Sequence, residues 1–113
     1  MEIFFRTTKL RAACSTVRDS DRTWGADRAR VVRRRLAELQ AAESLAMVSV
    51  LPPARLHQLD GQRKGQYAVD AIHPFRLTLE PWHDELPLLE DGGIDKTKVT
   101  RVRILAVEDY HGR

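Results

Sequence analysis

The sequence predicts an α+β domain of two layers, in which an N-terminal strand and a helical hairpin pack on an antiparallel sheet of three to five strands. Three observations point there. Apolar residues recur at helical spacing through the first half of the chain, Pro52-Pro53 ends that pattern, and the residues beyond it alternate between apolar and polar. With 113 residues the chain fits a single domain covering 1–113. A chain of that size buries roughly two thirds of its unfolded surface, enough for one core without cross-links.

Ile3-Phe4-Phe5-Arg6 is short, apolar and β-prone, and reads as the first strand. Thr7 or Thr8 can cap a helix from Lys9, with Leu10, Ala13, Cys14 and Val17 on one side. Asp19-Ser20-Asp21 reads as an interruption, and Trp24-Gly25 as the passage into a second helix over about Ala26 to Ala46. There Val32, Leu36 and Leu39 form one apolar stripe. Arg30, Arg33 and Arg34 fall on the opposite face, while Arg28 and Arg35 lie near the stripe with their stems packed and their heads outward.

After the prolines, Leu56–Leu59 is a short strand and Gly61–Gly65 a polar turn. Tyr67, Val69 and Ala71 alternate along a strand, His73-Pro74 turns the chain, and Phe75, Leu77 and Leu79 alternate along the next. Pro81–Lys98 reads as a long loop carrying Gly92-Gly93, and Val99–Val107 as the last strand.

Lysine and arginine number 19 against 16 acids, a net +3 that hides a polarity. Met1–Arg35 holds ten basic residues and only Glu2, Asp19, Asp21 and Asp27, whereas Asp84, Glu85, Glu90, Asp91 and Asp95 gather late. That pattern fits an anionic partner, nucleic acid first and an acidic protein segment second. The one cysteine, Cys14, excludes an internal disulfide and reads as a small apolar side chain. No stretch reaches the ~18 apolar residues of a membrane span, and no leader is visible, so a soluble cytoplasmic protein is expected. No Cys/His set has metal-ligand spacing, so neither a metal nor another cofactor is expected.

Four segments in combination resemble the HigB branch of the RelE superfamily of toxins. They are the helix Arg28–Leu39, the run Leu56-His57-Gln58-Leu59-Asp60-Gly61-Gln62-Arg63-Lys64-Gly65-Gln66-Tyr67, the strand piece Phe75-Arg76-Leu77, and the ending Glu108-Asp109-Tyr110-His111. The resemblance covers most of the chain except Trp82–Lys98, which is longer than the hairpin turn usual there. It implies a RelE-like fold and a toxin that enters the 70S ribosomal A site and cuts messenger RNA. The nucleophile would be the RNA's own 2′-hydroxyl. It also implies a helix-turn-helix, HigA-like antitoxin, through which alone the complex would meet operator DNA. Asp60 departs from the lysine many such toxins carry, so Arg63 and Lys64 would supply the positive charge.

Cleavage of this kind needs a base for the hydroxyl proton, donors for the phosphoryl oxygens and an acid for the leaving oxygen. His111 is the first choice as acid or base, because imidazole titrates near neutral pH. Asp109 can orient it, and Tyr110 can stack a base. His57 is either a second acid–base group or a strand histidine bonded to backbone. Arg76 suits bidentate phosphate contact, with a salt bridge to Glu80 or Asp70 as the alternative. Arg63, Lys64, Arg30, Arg33 and Arg34 are expected on phosphates, while His73 and His83 are assigned to structure. Two other readings stay open: a ParE-like gyrase poison of the same fold that cleaves nothing, and a catalytically weak RNA- or protein-binding domain.

Overall fold

Two threonines set where the helices begin. In the computed structural model, which describes residues 1–110, β1 (Glu2–Phe5) leads into α1 (Thr8–Ser15), capped by the Thr7 hydroxyl accepting from the Leu10 N–H at 3.0 Å. One residue later the chain restarts as α2 (Val17–Trp24), because Thr16 accepts from the Asp19 N–H at 3.0 Å and donates to the Asp19 carboxylate at 2.9 Å. Asp19-Ser20-Asp21 therefore lies inside a helix rather than interrupting one. The helical layer has three helices where a hairpin of two was expected.

The third helix, α3 (Ala26–Ala41), ends earlier than the expected Ala46. The Met1 amino group donates to the carbonyls of Leu39 (3.2 Å) and Gln40 (2.7 Å), placing a cation at the negative end of the helix. Ala29, Val32 and Leu39 are buried along its inner side, and Arg35 is buried with them. The Arg35 guanidinium donates to the Asp70 carbonyl (2.7 Å) and to Glu38 (3.1 Å), so its head turns inward, not outward.

The sheet has the order β1-β5-β4-β3-β2, with β2 at His57–Gln58, β3 at Tyr67–Asp70, β4 at Phe75–Pro81 and β5 at Arg101–Asp109. Four strands form an antiparallel meander, but β1 joins β5 in parallel, so the sheet is mixed rather than antiparallel throughout. The long stretch between β1 and β5 supplies the connection that a parallel pair requires. Within the 82–98 segment a bridge joins Leu88 to Ile94, and Asp95 caps a short turn at Lys96–Lys98.

Tyr67, Val69, Leu77, Leu79, Val102 and Ile104 line one face of the sheet and pack against Leu36 and Leu39 of α3 and Leu10 of α1. Leu79 pairs with Ile104 but Thr78 with Ala106, so Leu105 is an extra residue in β5, a β-bulge. The bulge reverses the alternation. Ile104 and Val107 both join the core face, and Glu108 falls on the other side. Two rows then stand on the face away from the helices: Ala68–Thr78–Ala106 with His57 opposite Ala68, and Asp70–Arg76–Glu108.

Candidate functional site

The row Asp70–Arg76–Glu108 carries three charged side chains across adjacent strands, and the chain delivers Tyr110 beside them. The Tyr110 N–H donates to the Pro74 carbonyl at 2.7 Å, holding the end of β5 against the His73-Pro74 turn. Its hydroxyl donates to the Asp70 carboxylate and accepts from the Arg55 guanidinium. Arg55 in turn holds Asp70 through two bonds, one of 2.6 Å and one of 3.0 Å. It does so from a left-handed backbone conformation (φ 50°), which a non-glycine residue rarely adopts.

His57 completes this group. Its Nδ1 lies 2.7 Å from the Arg55 carbonyl, which can only accept, so the proton sits on Nδ1. That leaves the Nε2 lone pair unprotonated in the neutral ring, 3.4 Å from the Tyr110 hydroxyl. The two rings lie nearly parallel, 6.1 Å apart with 8° between their planes. Arg76 sits 4.9 Å from the Tyr110 ring centre and donates to Glu108 at 3.1 Å. Arg63 donates to the same Glu108 oxygen, so one carboxylate is shared by two guanidiniums. A pocket of about 190 Å³ opens between Arg55, Asp70, His73, Phe75 and Tyr110.

The electrostatics divide the roles. Burial, together with the bond to Asp70 and its charge, pushes the Tyr110 hydroxyl up to about 12, so tyrosinate is no base at neutral pH. Burial opposes ionisation of Asp70, but the bonds from Arg55 and Tyr110 outweigh it and hold its carboxyl below the usual range. The site at neutral pH thus has a fixed carboxylate and a neutral tyrosine, set among three guanidiniums and the His57 ring. Among the described residues no group of three or more His, Cys, Asp or Glu side chains is arranged to hold a metal ion.

Compared with known proteins, the chain matches no family model and no curated relative. The residues themselves carry the reading.

Of the residues singled out in the sequence, His57, Tyr110 and Arg76 come together, and Arg63 reaches them through Glu108. Arg76 is bridged to Glu108, not to Glu80 or Asp70; Glu80 instead pairs with Arg103. Lys64 is exposed beside Arg63. Asp109 stands opposite Phe75, on the other side of β5 from Glu108. His111 lies outside the described residues. The α3 arginines Arg30, Arg33 and Arg34 are not brought to this site. Arg33 ties α3 to Ser20 and Asp21 of α2, Arg30 pairs with exposed Asp27 at 3.4 Å, and Arg34 is exposed. His83 is structural, with Nε2 accepting from the Thr100 N–H at 3.2 Å. Cys14 is partly buried, and burial raises its thiol to about 11, so it is no thiolate at neutral pH.

Sequence reasoning missed Arg55 and Asp70 as site residues, and it set His73 aside although His73 lines the pocket, 6.5 Å from the Tyr110 ring. Asp70 carried a usable signal. It is the one acid in a strand of otherwise apolar residues, two positions from Ala68, which pairs with His57.

Proposed function

We propose that this chain is a RelE-like, HigB-like toxin, an endoribonuclease that cuts messenger RNA in the ribosomal A site and acts in the cytoplasm. The observation that carries the reading is His57, with Nδ1 tied to a carbonyl and Nε2 left open beside a carboxylate and three guanidiniums. Transfer of the RNA 2′-hydroxyl proton to Nε2 lets that oxygen attack the adjacent phosphorus. The bond to the 5′-oxygen breaks, leaving a 2′,3′-cyclic phosphate and a 5′-hydroxyl once that oxygen takes a proton. The imidazolium formed on His57 faces the Tyr110 oxygen and the negative Asp70, both of which favour it. Arg76 and Arg63 stabilise the phosphoryl oxygens by exchanging Glu108 for the substrate's charge. His111, directly after Tyr110 in the chain, is the proposed acid for the leaving oxygen, and the 2′-hydroxyl route requires no metal.

The proposed partners are the 70S ribosome with its messenger and a helix-turn-helix antitoxin, which would carry the complex to operator DNA. A binding-only reading draws on one specific observation: Arg55, Arg63 and Arg76 are each already paired to a carboxylate. Primer extension on messenger after induction separates the two. Cuts made by the wild type and absent with His57→Asn, which keeps a donor near Nδ1, support the nuclease. Growth arrest without cuts supports the binding poison.

A further inference from the structure

At the other end of the same sheet face lies a cleft of about 260 Å³ between β1, the start of α1 and the end of β4. Its lining includes Phe4, Arg6, Arg11, Trp82 and Arg103 and contains no carboxylate. Arg6 and Arg11 are exposed and carry no ion pair among the described residues. Thr7 and Thr8, at the start of α1, also line it, and the first turn of α1 holds no acidic residue to offset its positive end. Trp82 is 39% exposed, and the Arg103 guanidinium lies 3.8 Å from its ring centre while bonded to Glu80 at 2.8 Å.

We infer that this cleft is a second binding site for single-stranded nucleic acid, taking a phosphate at Arg6 and Arg11 and a base against the Trp82 ring. An acidic peptide would use the guanidiniums and leave the aromatic surface idle, whereas a nucleotide uses both. The register gives the direction of the strand. Arg76 and Glu80 face the same side of β4 four residues apart, about 13 Å at the usual rise. A short oligonucleotide spans that distance and runs from the Tyr110 pocket to Trp82. The inference rests on the nuclease reading for the identity of the polymer, but its test does not depend on cleavage.

The test is fluorescence anisotropy with a labelled 2′-O-methyl oligouridine, which has no free 2′-hydroxyl and cannot be cut. Wild type should bind it, with an affinity that falls as salt is raised. Arg6→Glu/Arg11→Glu should weaken binding at least tenfold and flatten the salt dependence by on the order of one unit of slope. Trp82→Ala should weaken it about fivefold or more with the salt slope unchanged, and Trp82→Phe should restore most of the loss. Thermal melts of each variant confirm that the fold is kept. Wild-type affinity in both the double variant and Trp82→Ala overturns the inference and leaves the nuclease reading standing. Displacement by polyglutamate that is equal for wild type and Trp82→Ala also overturns it. The expected binding pattern, with wild type making no cuts in messenger programmed on ribosomes, sustains the inference and sinks the nuclease reading instead.

Discussion

The two ends of the sheet face away from the helices carry the same side chains in opposite states. Around Tyr110 three guanidiniums are matched: Arg55 to Asp70, and Arg63 and Arg76 to Glu108. Around Trp82, Arg103 has an acid, Glu80, while Arg6 and Arg11 are in no ion pair among the described residues. The matched end has these guanidiniums bonded to carboxylates before any ligand arrives, an arrangement suited to holding a proton acceptor in place. The unmatched end costs no broken ion pair on binding, so it attracts an anion sooner and at longer range. Under the proposed function, one end positions the substrate and the other captures it.

The sharpest way to break this contrast is His57→Asn. If the matched end does the chemistry, messenger cleavage in a ribosome-programmed assay falls by roughly 10²–10⁴-fold. Arg6→Glu/Arg11→Glu should instead raise the RNA concentration needed and leave the saturated rate alone.

Glu108→Gln makes the matched end resemble the unmatched one. Removing a carboxylate shared by two half-buried guanidiniums should cost about 1–3 kcal/mol of stability, read as a lowered melting midpoint. Oligouridine binding should tighten at the same time. A variant that melts lower but binds no better would show that Glu108 serves only the fold.

Titration separates the ends without mutation. The folded pKa of Asp70 is depressed, so its contribution to stability is present above the ordinary carboxylate value near 4 and is lost as pH falls below it. That of Tyr110 is raised to about 12, so its contribution is present below about 10 and is lost as pH climbs through 12. Asp70→Asn should remove the acid limb and reduce the alkaline one in denaturant melts taken across pH, because it removes the acid and one cause of the raised Tyr110 value, leaving burial, the larger one. Arg6→Ala and Arg11→Ala, the mildest changes, should move stability by no more than ~0.5 kcal/mol at any of these pH values. A larger loss would mean that these arginines are packed rather than presented.

What could be read from the sequence was what local pattern determines. Phe75-Leu77-Leu79 and Val32-Leu36-Leu39 show their periods directly, and the Thr7 cap precedes its helix as capping residues do. Thr16-Val17-Arg18-Asp19 is equally local, but the polar run after it reads as a breaker until the Thr16–Asp19 bonds are seen to start a helix. The parallel β1–β5 pair joins residues about a hundred positions apart and leaves no local trace. The site was legible in part. His57, Arg76 and Tyr110 stood in recognisable runs, whereas Arg55 acts from an unusual backbone angle after a proline pair. Glu108 reaches Arg76 only because the alternation of β5 is not uniform.

That irregularity has a consequence for how such a surface can be lost or kept. Were Leu105 taken into the ladder opposite Thr78, every later residue would slip by one: Val107 would stand over Arg76, and Glu108 would face Phe75 on the core side. Deleting Leu105, by contrast, removes the extra residue itself and leaves Ala106 opposite Thr78 and Glu108 opposite Arg76. No residue of the cluster is mutated in either case. The shared carboxylate therefore survives the loss of one codon at the bulge, and it is lost when the residue is kept and the bulge is not.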